Sequence, residues 1–405
     1  MRRTDLDALR ILFCGSIIVA HALLVFAPDH IYHVVSHETS FVALVLYELI
    51  KVTTMPAFML IAGWSAVRSL RHRSSAHFMW ERVKRLLVPL LFGIATFGCI
   101  IKYIELSGGR SLSLAGMTQA DNLRHMLQLD RAPTFLDFIP YYLTRFPLLT
   151  WSHLWFLAYL LLFSLVLLPA LKALARRPPR EVEPPAAIVY LPALVLAALL
   201  VFVGGYWPFL PRLVGDWGNL VFYAVCFLIG AMMAAWPGFE TRLHRQLVPF
   251  LVLAVVGFVG LIHWGDSTPG RICAGLTSWL GTGALLAVAA RHPPRPSPTL
   301  AWLSEAALPI YILHHAPLLM IAVAVLPLAV PIAVKIAIIA AGTAVVSLAA
   351  YQWLVRPWPP MRFLFGMSPR PAPASTARAT TGAGPERSDG QTVASASSAG
   401  TSSSA

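Results

Sequence analysis

Long apolar stretches, separated by short polar segments, run through most of this 405-residue chain. Most of these stretches reach the roughly 17 to 25 residues that a helix needs to cross a bilayer. The pattern predicts an all-α polytopic membrane protein, with about ten transmembrane helices in one bundle. The stretches lie near residues 9–28, 41–67, 86–104, 150–171, 187–205, 218–236, 247–263, 271–290, 301–325 and 331–354.

Composition favours the same class. The chain is 57% hydrophobic and only 12% charged, with a mean hydropathy of +0.69, whereas soluble domains carry about 25% charged residues. All four cysteines fall inside apolar stretches with no close pair, so we predict neither a disulfide framework nor a metal site from them. They are Cys14, Cys99, Cys226 and Cys273.

The basic residues predict the orientation of the bundle, because cytoplasmic loops carry an excess of Lys and Arg. If the N-terminus is cytoplasmic, 22 of the 31 basic residues fall in inner segments. We therefore expect both termini to face the cytoplasm. The net charge of +13 then mainly reflects the orientation of the protein in the membrane. Because so little of the chain forms soluble surface, we expect membrane lipids, not nucleic acid, as partners.

Two domains are predicted, a membrane-embedded domain over residues 1–366 and a tail over 367–405. The tail is rich in Ser, Ala, Thr, Pro and Gly, so it cannot bury enough apolar surface to fold and should be disordered in the cytoplasm. The longest outer segment, roughly 105–148, interleaves Asp121, Asp130 and Asp137 with aromatic residues. We expect it to cover an outward-facing cleft.

Arg10 and His21 are polar residues in or beside the first apolar stretch. Eleven residues are about three helical turns, so both side chains lie on one face, about 16 Å apart in depth. An ionisable group at membrane depth costs roughly 2.5 to 3.5 kcal/mol and usually lines a bundle interior. A neutral histidine there suits a general base; the alternative is a histidine that only packs against a neighbouring helix.

Basic residues near the inner membrane edge predict an anion site. Asp7 precedes Arg10 by three residues and can orient its guanidinium, and Arg82 and Arg85 lie one helical turn apart. Together they would attract a phosphorylated or carboxylated cytosolic ligand, although such arginines also anchor proteins to anionic lipid. The 16 Å from Arg10 to His21 is similar to the reach of a phosphopantetheine arm, so a coenzyme A thioester could span it.

Other candidates are weaker. Glu48 is the carboxylate closest to His21 in membrane depth and could orient its ring. Alternatively, Glu48 forms an ion pair with Lys51 alone. Glu305 and His315 differ by ten residues and share no helix face closely, so they form no obvious dyad. No Gly-rich phosphate loop, serine nucleophile elbow or zinc pattern is present, and we expect no metal and no permanently bound cofactor.

Several segments together resemble the acyltransferase family 3 membrane proteins over roughly residues 4–366. The segments are Leu6-Asp7-Ala8-Leu9-Arg10 with His21, Pro56-Ala57-Phe58-Met59-Leu60-Ile61-Ala62-Gly63, and Arg82-Val83-Lys84-Arg85-Leu86-Leu87-Val88-Pro89. Two more, Ser152-His153-Leu154-Trp155-Phe156-Leu157 and Tyr311-Ile312-Leu313-His314-His315, are similar to the glucans biosynthesis protein C branch.

The resemblance implies a multi-pass enzyme of the bacterial inner membrane that moves an acyl group from a cytoplasmic donor to a periplasmic or cell-surface glycan. Succinyl-CoA or acetyl-CoA would be the donor, and O-succinylation of periplasmic glucans is the reaction expected of the named branch. Arg10, Arg82 and Arg85 would hold the donor, Asp7 would orient Arg10, and His21 would activate the acceptor hydroxyl. Weaker candidates for the acceptor side, or for structure, are Glu48, His153, Trp155, Glu305, His314 and His315.

Two rival functions use the same residues. A transporter or flippase for an anionic glycan or lipid would use the polar stripe as its path and would leave the substrate covalently unchanged. A membrane scaffold would bind lipid through its arginines, and His21 would only pack.

Overall fold

The computed structural model describes residues 3–30, 32–107, 127–128, 130–131, 134–203, 213 and 215–368, which form helices and loops without a β-strand. The helices, in chain order, are α1 Thr4–Leu24, α2 Phe41–Leu70, α3 Ser75–Leu106, α4 Phe135–Thr144, α5 Trp155–Val166, α6 Leu168–Arg176, α7 Leu191–Val203, α8 Trp217–Ala235, α9 Pro237–Arg245, α10 Leu247–Trp264, α11 Thr268–Arg291, α12 Pro298–Leu313, α13 His315–Val325, α14 Ile332–Ala350 and α15 Pro359–Leu364.

Eight of the described helices are long and apolar enough to cross a membrane, and the number rises to ten if each of two bent helix pairs is counted as one span. Each span falls on one of the ten apolar stretches of the sequence. The predicted all-α, multi-pass membrane fold is therefore confirmed.

Prolines account for the two bent spans. The axes of α5 and α6 differ by 64°, and those of α12 and α13 by 61°. Pro169 and Pro317 lie just after the two breaks. A proline has no N–H to bond the carbonyl four residues earlier, and its ring clashes with that carbonyl, so the helix kinks there. The second kink lies at His314, between the end of α12 and the start of α13.

Close helix packing surrounds α2. A Cβ added to Gly63 would lie 1.8 Å from the carbonyl oxygen of Phe227, and one added to Gly230 would lie 1.9 Å from that of Leu60. Only glycine lets the backbones of α2 and α8 approach this closely, as small residues do at many membrane helix contacts.

Both ends of the described membrane unit lie at the same end of the bundle. Asp7 near the start of α1 accepts a hydrogen bond from Ser304 of α12, at 3.3 Å. The next residue, Glu305, pairs at 2.7 Å with Arg362 of the terminal helix α15. This agrees with an even number of spans, and we expect this end to be cytoplasmic.

In the outer segment, a capping box starts α4: the Thr134 side chain accepts from the Asp137 N–H, and Asp137 accepts from the Thr134 N–H. The hydrogen bond from Arg131, with those from Thr134, lowers the pKa of Asp137 to about 2. Phe138 and Tyr142 of this helix are fully buried against α3.

Asp121 and nearly all of the predicted tail, 367–405, lie outside the described residues.

Candidate active site

A cavity of about 1040 Å³ opens at the end of the bundle opposite Asp7 and Arg10. Its walls come from the end of α1, the first half of α2, the start of α5 and the facing ends of α10 and α11. Polar groups from the short segment after α1 also reach it. Polar residues at its surface include His21, His30, Tyr32, His33, Glu48, Lys51, Lys102, Glu105, Ser152, His153, Asn219, Asp266, Arg271 and His315.

His21 lies on the cavity wall, near the end of α1, with its ring partly exposed. Its Nδ1 lies 3.2 Å from the hydroxyl of Tyr32. Its ring centroid is 5.3 Å from that of His314 and 4.5 Å from that of His315. The ring is therefore held from one side while a ligand in the cavity can reach it from the other.

Three further histidines surround His21, and with it they form what we call the histidine cluster: His21, His153, His314 and His315. The last three are almost fully buried. The rings of His153 and His315 stack at 4.7 Å with an interplanar angle of 6°. All four histidines were candidates in the sequence, but spacing along the chain could not predict that they come together in the folded bundle.

Backbone carbonyls determine which ring nitrogen carries a hydrogen in two members of the cluster. His153 Nε2 donates to the Ile312 carbonyl at 3.2 Å, and His314 Nδ1 donates to the Tyr311 carbonyl at 2.8 Å. The opposite nitrogen of each ring is buried and finds no hydrogen-bond partner among the residues that the structure describes. One nitrogen from each of His21, His314 and His315 lies within 4.8 Å of the others, close enough to share a metal ion.

At the other end of the bundle, the predicted pair of Asp7 and Arg10 is confirmed. Arg10 Nη1 lies 3.1 Å from Asp7 Oδ1. Its Nη2 donates to the hydroxyl of Ser65 on α2 at 2.7 Å. Asp7 is buried, and Ser304 also donates to it. The guanidinium of Arg10 is thus held from two sides at the edge of the bundle.

Arg82 lies close enough to both Arg10 and Arg85 for its positive charge to be repelled by theirs. Arg82 sits over the ring of Phe78, 4.9 Å from its centroid, and Arg85 donates to the Gly366 carbonyl at 3.3 Å. In the described part of the chain neither forms an ion pair with a carboxylate. Because neither charge is neutralised by a direct ion pair with these described residues, the site favours an anionic ligand.

An aromatic layer separates the two polar sites. Phe13 contacts Phe58, Phe58 contacts Phe156 and Phe156 contacts Tyr311, with ring centroids 5.3 to 5.9 Å apart. On α1 and α2 these rings lie between a residue of the arginine site and one of the cavity, and Tyr311 of α12 itself lines the cavity. Arg10, Arg82 and Arg85 do not line the cavity. The polar stripe expected from Arg10 to His21 is therefore interrupted. Residue spacing along α1 could not predict this, because the aromatic layer is formed by contacts between different helices.

The weaker candidates divide between the cavity and other places. Glu48 pairs with Lys51 at 2.6 Å, as the alternative expected, but it also lies 3.4 Å from His30. The hydroxyl of Tyr32, not Glu48, contacts the ring of His21. Trp155 lines the cavity and packs on Tyr223 at 5.3 Å.

Glu305 does not reach the cavity. It pairs with Arg362 and accepts from the Tyr351 hydroxyl at 3.0 Å. Its role is to hold α12 to the terminal helices at the predicted cytoplasmic end.

Sequence reasoning did not single out Ser65, Tyr32, His33 or Ser152. The only signal for Tyr32 and His33 was a pair of polar rings in a short segment directly after the first span. Ser152 stood within a quoted motif, but nothing marked its side chain.

Comparison with protein families gives one match. A family model described as an acyltransferase domain, that of acyltransferase family 3, matches residues 3–352. This range contains the arginine site, the aromatic layer and the histidine cluster. Neither the curated proteins nor the solved structures gave a match. Because the family model covers most of its length, the chain belongs to acyltransferase family 3 and is a membrane acyltransferase.

Proposed function

We propose that this protein is an O-acyltransferase that takes an acyl group from a coenzyme A thioester at the arginine site and attaches it to a hydroxyl of a glycan in the cavity. The observation that carries the proposal is the position of His21. Its ring faces the cavity, and it stands on the same helix as Arg10, about 16 Å further along. One helix thus links a site for an anion to a base that an acceptor can reach.

In this mechanism the acceptor hydroxyl enters the cavity and gives its proton to the free nitrogen of His21. The hydroxyl oxygen then attacks the thioester carbonyl, the new C–O bond forms and the C–S bond breaks. The thiolate takes the proton from His21, which returns to its neutral form. Tyr32 keeps the ring in place through its contact with Nδ1. A positioned base of this kind contributes typically about 10² to 10⁴ in rate.

Donor binding requires the aromatic layer to open. The phosphates would bind Arg10, Arg82 and Arg85, and the pantetheine arm would run along α1 towards His21. Phe13 lies between Arg10 and His21 along α1, and its ring packs against that of Phe58. In this proposal the rings of Phe13 and Phe58 move apart when the arm enters and otherwise keep the path closed, which limits the access of water to the site.

The finer assignment rests on the resemblance to the glucans biosynthesis protein C branch. We propose that the protein lies in the bacterial inner membrane, with the arginine site on the cytoplasmic side. Succinyl-CoA is the donor and a periplasmic glucan the acceptor; acetyl-CoA with another surface glycan is the alternative.

Purified protein in proteoliposomes, given acyl-CoA labelled in the acyl group together with candidate glycans, tests the proposal. The enzyme moves label onto the sugar. A transporter or flippase, which a polar cavity would also suit, moves a glycan or lipid without labelling it, and a scaffold does neither.

A further inference from the structure

A second group of polar side chains in the cavity has the geometry of a nucleophile with its base. His33 Nε2 lies 2.9 Å from the hydroxyl oxygen of Ser152. His33 Nδ1 lies 2.8 Å from Oε2 of Glu105. All three residues line the cavity, and they come from three parts of the chain: the segment after α1, the end of α3 and the residues just before α5.

The charges fix the direction of these hydrogen bonds. Lys102 Nζ donates to Oε1 of Glu105 at 2.9 Å, which keeps that carboxyl group ionised and able only to accept. His33 must then donate from Nδ1 and can accept at Nε2, where the Ser152 hydroxyl donates. Such an arrangement lets an imidazole remove a proton from a serine.

The backbone at Ser152 supports the same conclusion. Its φ is +43°, in the left-handed region that residues with a Cβ rarely adopt. Its N–H donates to the Thr150 hydroxyl at 3.1 Å, and it begins a short 3-10 turn, Ser152–Leu154, directly before α5. Strained conformations of this kind cluster at functional sites, and here the conformation directs the hydroxyl at His33.

We propose that Ser152 is a nucleophile that His33 activates and Glu105 positions, so that the acyl group forms an ester with Ser152 before it reaches the acceptor. This inference rests on the proposed acyl transfer, because the acyl group comes from the same thioester. It makes the transfer a two-step reaction.

In the first step the Ser152 oxygen attacks the thioester carbonyl and its proton passes to His33 Nε2. The C–S bond breaks, and the departing thiolate takes the proton. In the second step the acceptor hydroxyl gives its proton to His21, on the same cavity wall, and its oxygen attacks the acyl-serine carbonyl. The bond from the acyl carbon to the serine oxygen breaks, and the serine oxygen takes up the proton that His21 gives back.

A fluorophosphonate probe tests the nucleophile without any donor or acceptor. We expect the probe to label the intact protein in detergent, and mass spectrometry of the wild type to place the adduct on Ser152. Ser152→Ala abolishes labelling, and Ser278→Ala, which changes another serine of the cavity wall, leaves it unchanged. Labelling of S152A at the wild-type rate, or no adduct on Ser152 at saturating probe, would overturn the proposal.

The partners of Ser152 are tested in the same assay, with size-exclusion elution to confirm folding. His33→Gln slows labelling by about 10² to 10⁴. Glu105→Gln also slows it, and Glu105→Asp restores the rate in part, because a carboxylate can again accept from His33. A role confined to packing predicts that the properly folded variants react at the wild-type rate.

His21→Ala separates this inference from the proposed function. We expect H21A to keep fluorophosphonate labelling and to lose glycan acylation. If glycans are acylated but Ser152 is never labelled, the acyl-serine is refuted and the acyl transfer stands. If Ser152 is labelled but no glycan is acylated, the nucleophile stands and the proposed acceptor chemistry is refuted.

Discussion

Replacing Arg82 by alanine should weaken donor binding more than any other single change at the arginine site. Its guanidinium has no carboxylate partner among the described residues and lies over the Phe78 ring, so it is free to bind a phosphate. A hydrogen bond to a charged group contributes about 1.5 to 3 kcal/mol. We therefore expect the KM for acyl-CoA to rise about 10- to 150-fold, with kcat changed much less.

The assay is transfer of labelled acyl groups in proteoliposomes over a range of acyl-CoA concentrations. Arg85 is exposed and bonds the Gly366 carbonyl, so Arg85→Ala should raise KM less than R82A does. Lys84→Ala is the matched control, because it removes a nearby positive charge that is already paired with Glu81 at 2.8 Å. An unchanged KM in R82A, or an equal rise in K84A, would refute the assignment of Arg82 to the donor.

Three further results are expected. Asp7→Asn removes the charge that holds Arg10 at 3.1 Å, so kcat/KM should fall about two- to tenfold; an unchanged value would show that the ion pair does not serve the donor site. Gly63→Ala places a Cβ 1.8 Å from the Phe227 carbonyl oxygen, so the free energy of unfolding should fall by about 1 to 3 kcal/mol, measured by thermal unfolding in detergent. Gly15→Ala is the control: its Cβ would have no atom within 4 Å, so the unfolding temperature should not change. Chelators should leave acyl transfer intact, because the general base needs a free nitrogen; loss of activity that added metal restores would instead show that the histidine cluster holds an ion.

The spans and the local ion pair could be predicted from the sequence because each depends on neighbours along the chain. A helix needs a minimum apolar length to cross a bilayer, so all ten spans could be recognised as apolar stretches of the sequence. The three-residue spacing of Asp7 and Arg10 is a local helical relation and holds in the structure. Pro317 was a similar local signal for the kink after α12, although the prediction took that span as one stretch.

The shape of the site depends on contacts between distant parts of the chain, which spacing does not reveal. Tyr32 touches both His21 and His315, and the latter is 283 residues away. Glu48 had two acceptable partners by depth alone, and only packing decided between them. The aromatic layer is equally hidden, since Phe58 is one of many apolar residues in its helix until three helices close around it.

The base at the centre of the account is tested most directly by His21→Ala. Wild-type protein and the variant, matched for the amount in the membrane, are given labelled acyl-CoA and glycan, and label on the sugar is counted. The imidazole is partly exposed in the cavity, so its loss should lower transfer by about 10² to 10⁴. Transfer at the wild-type rate in this variant would contradict the account.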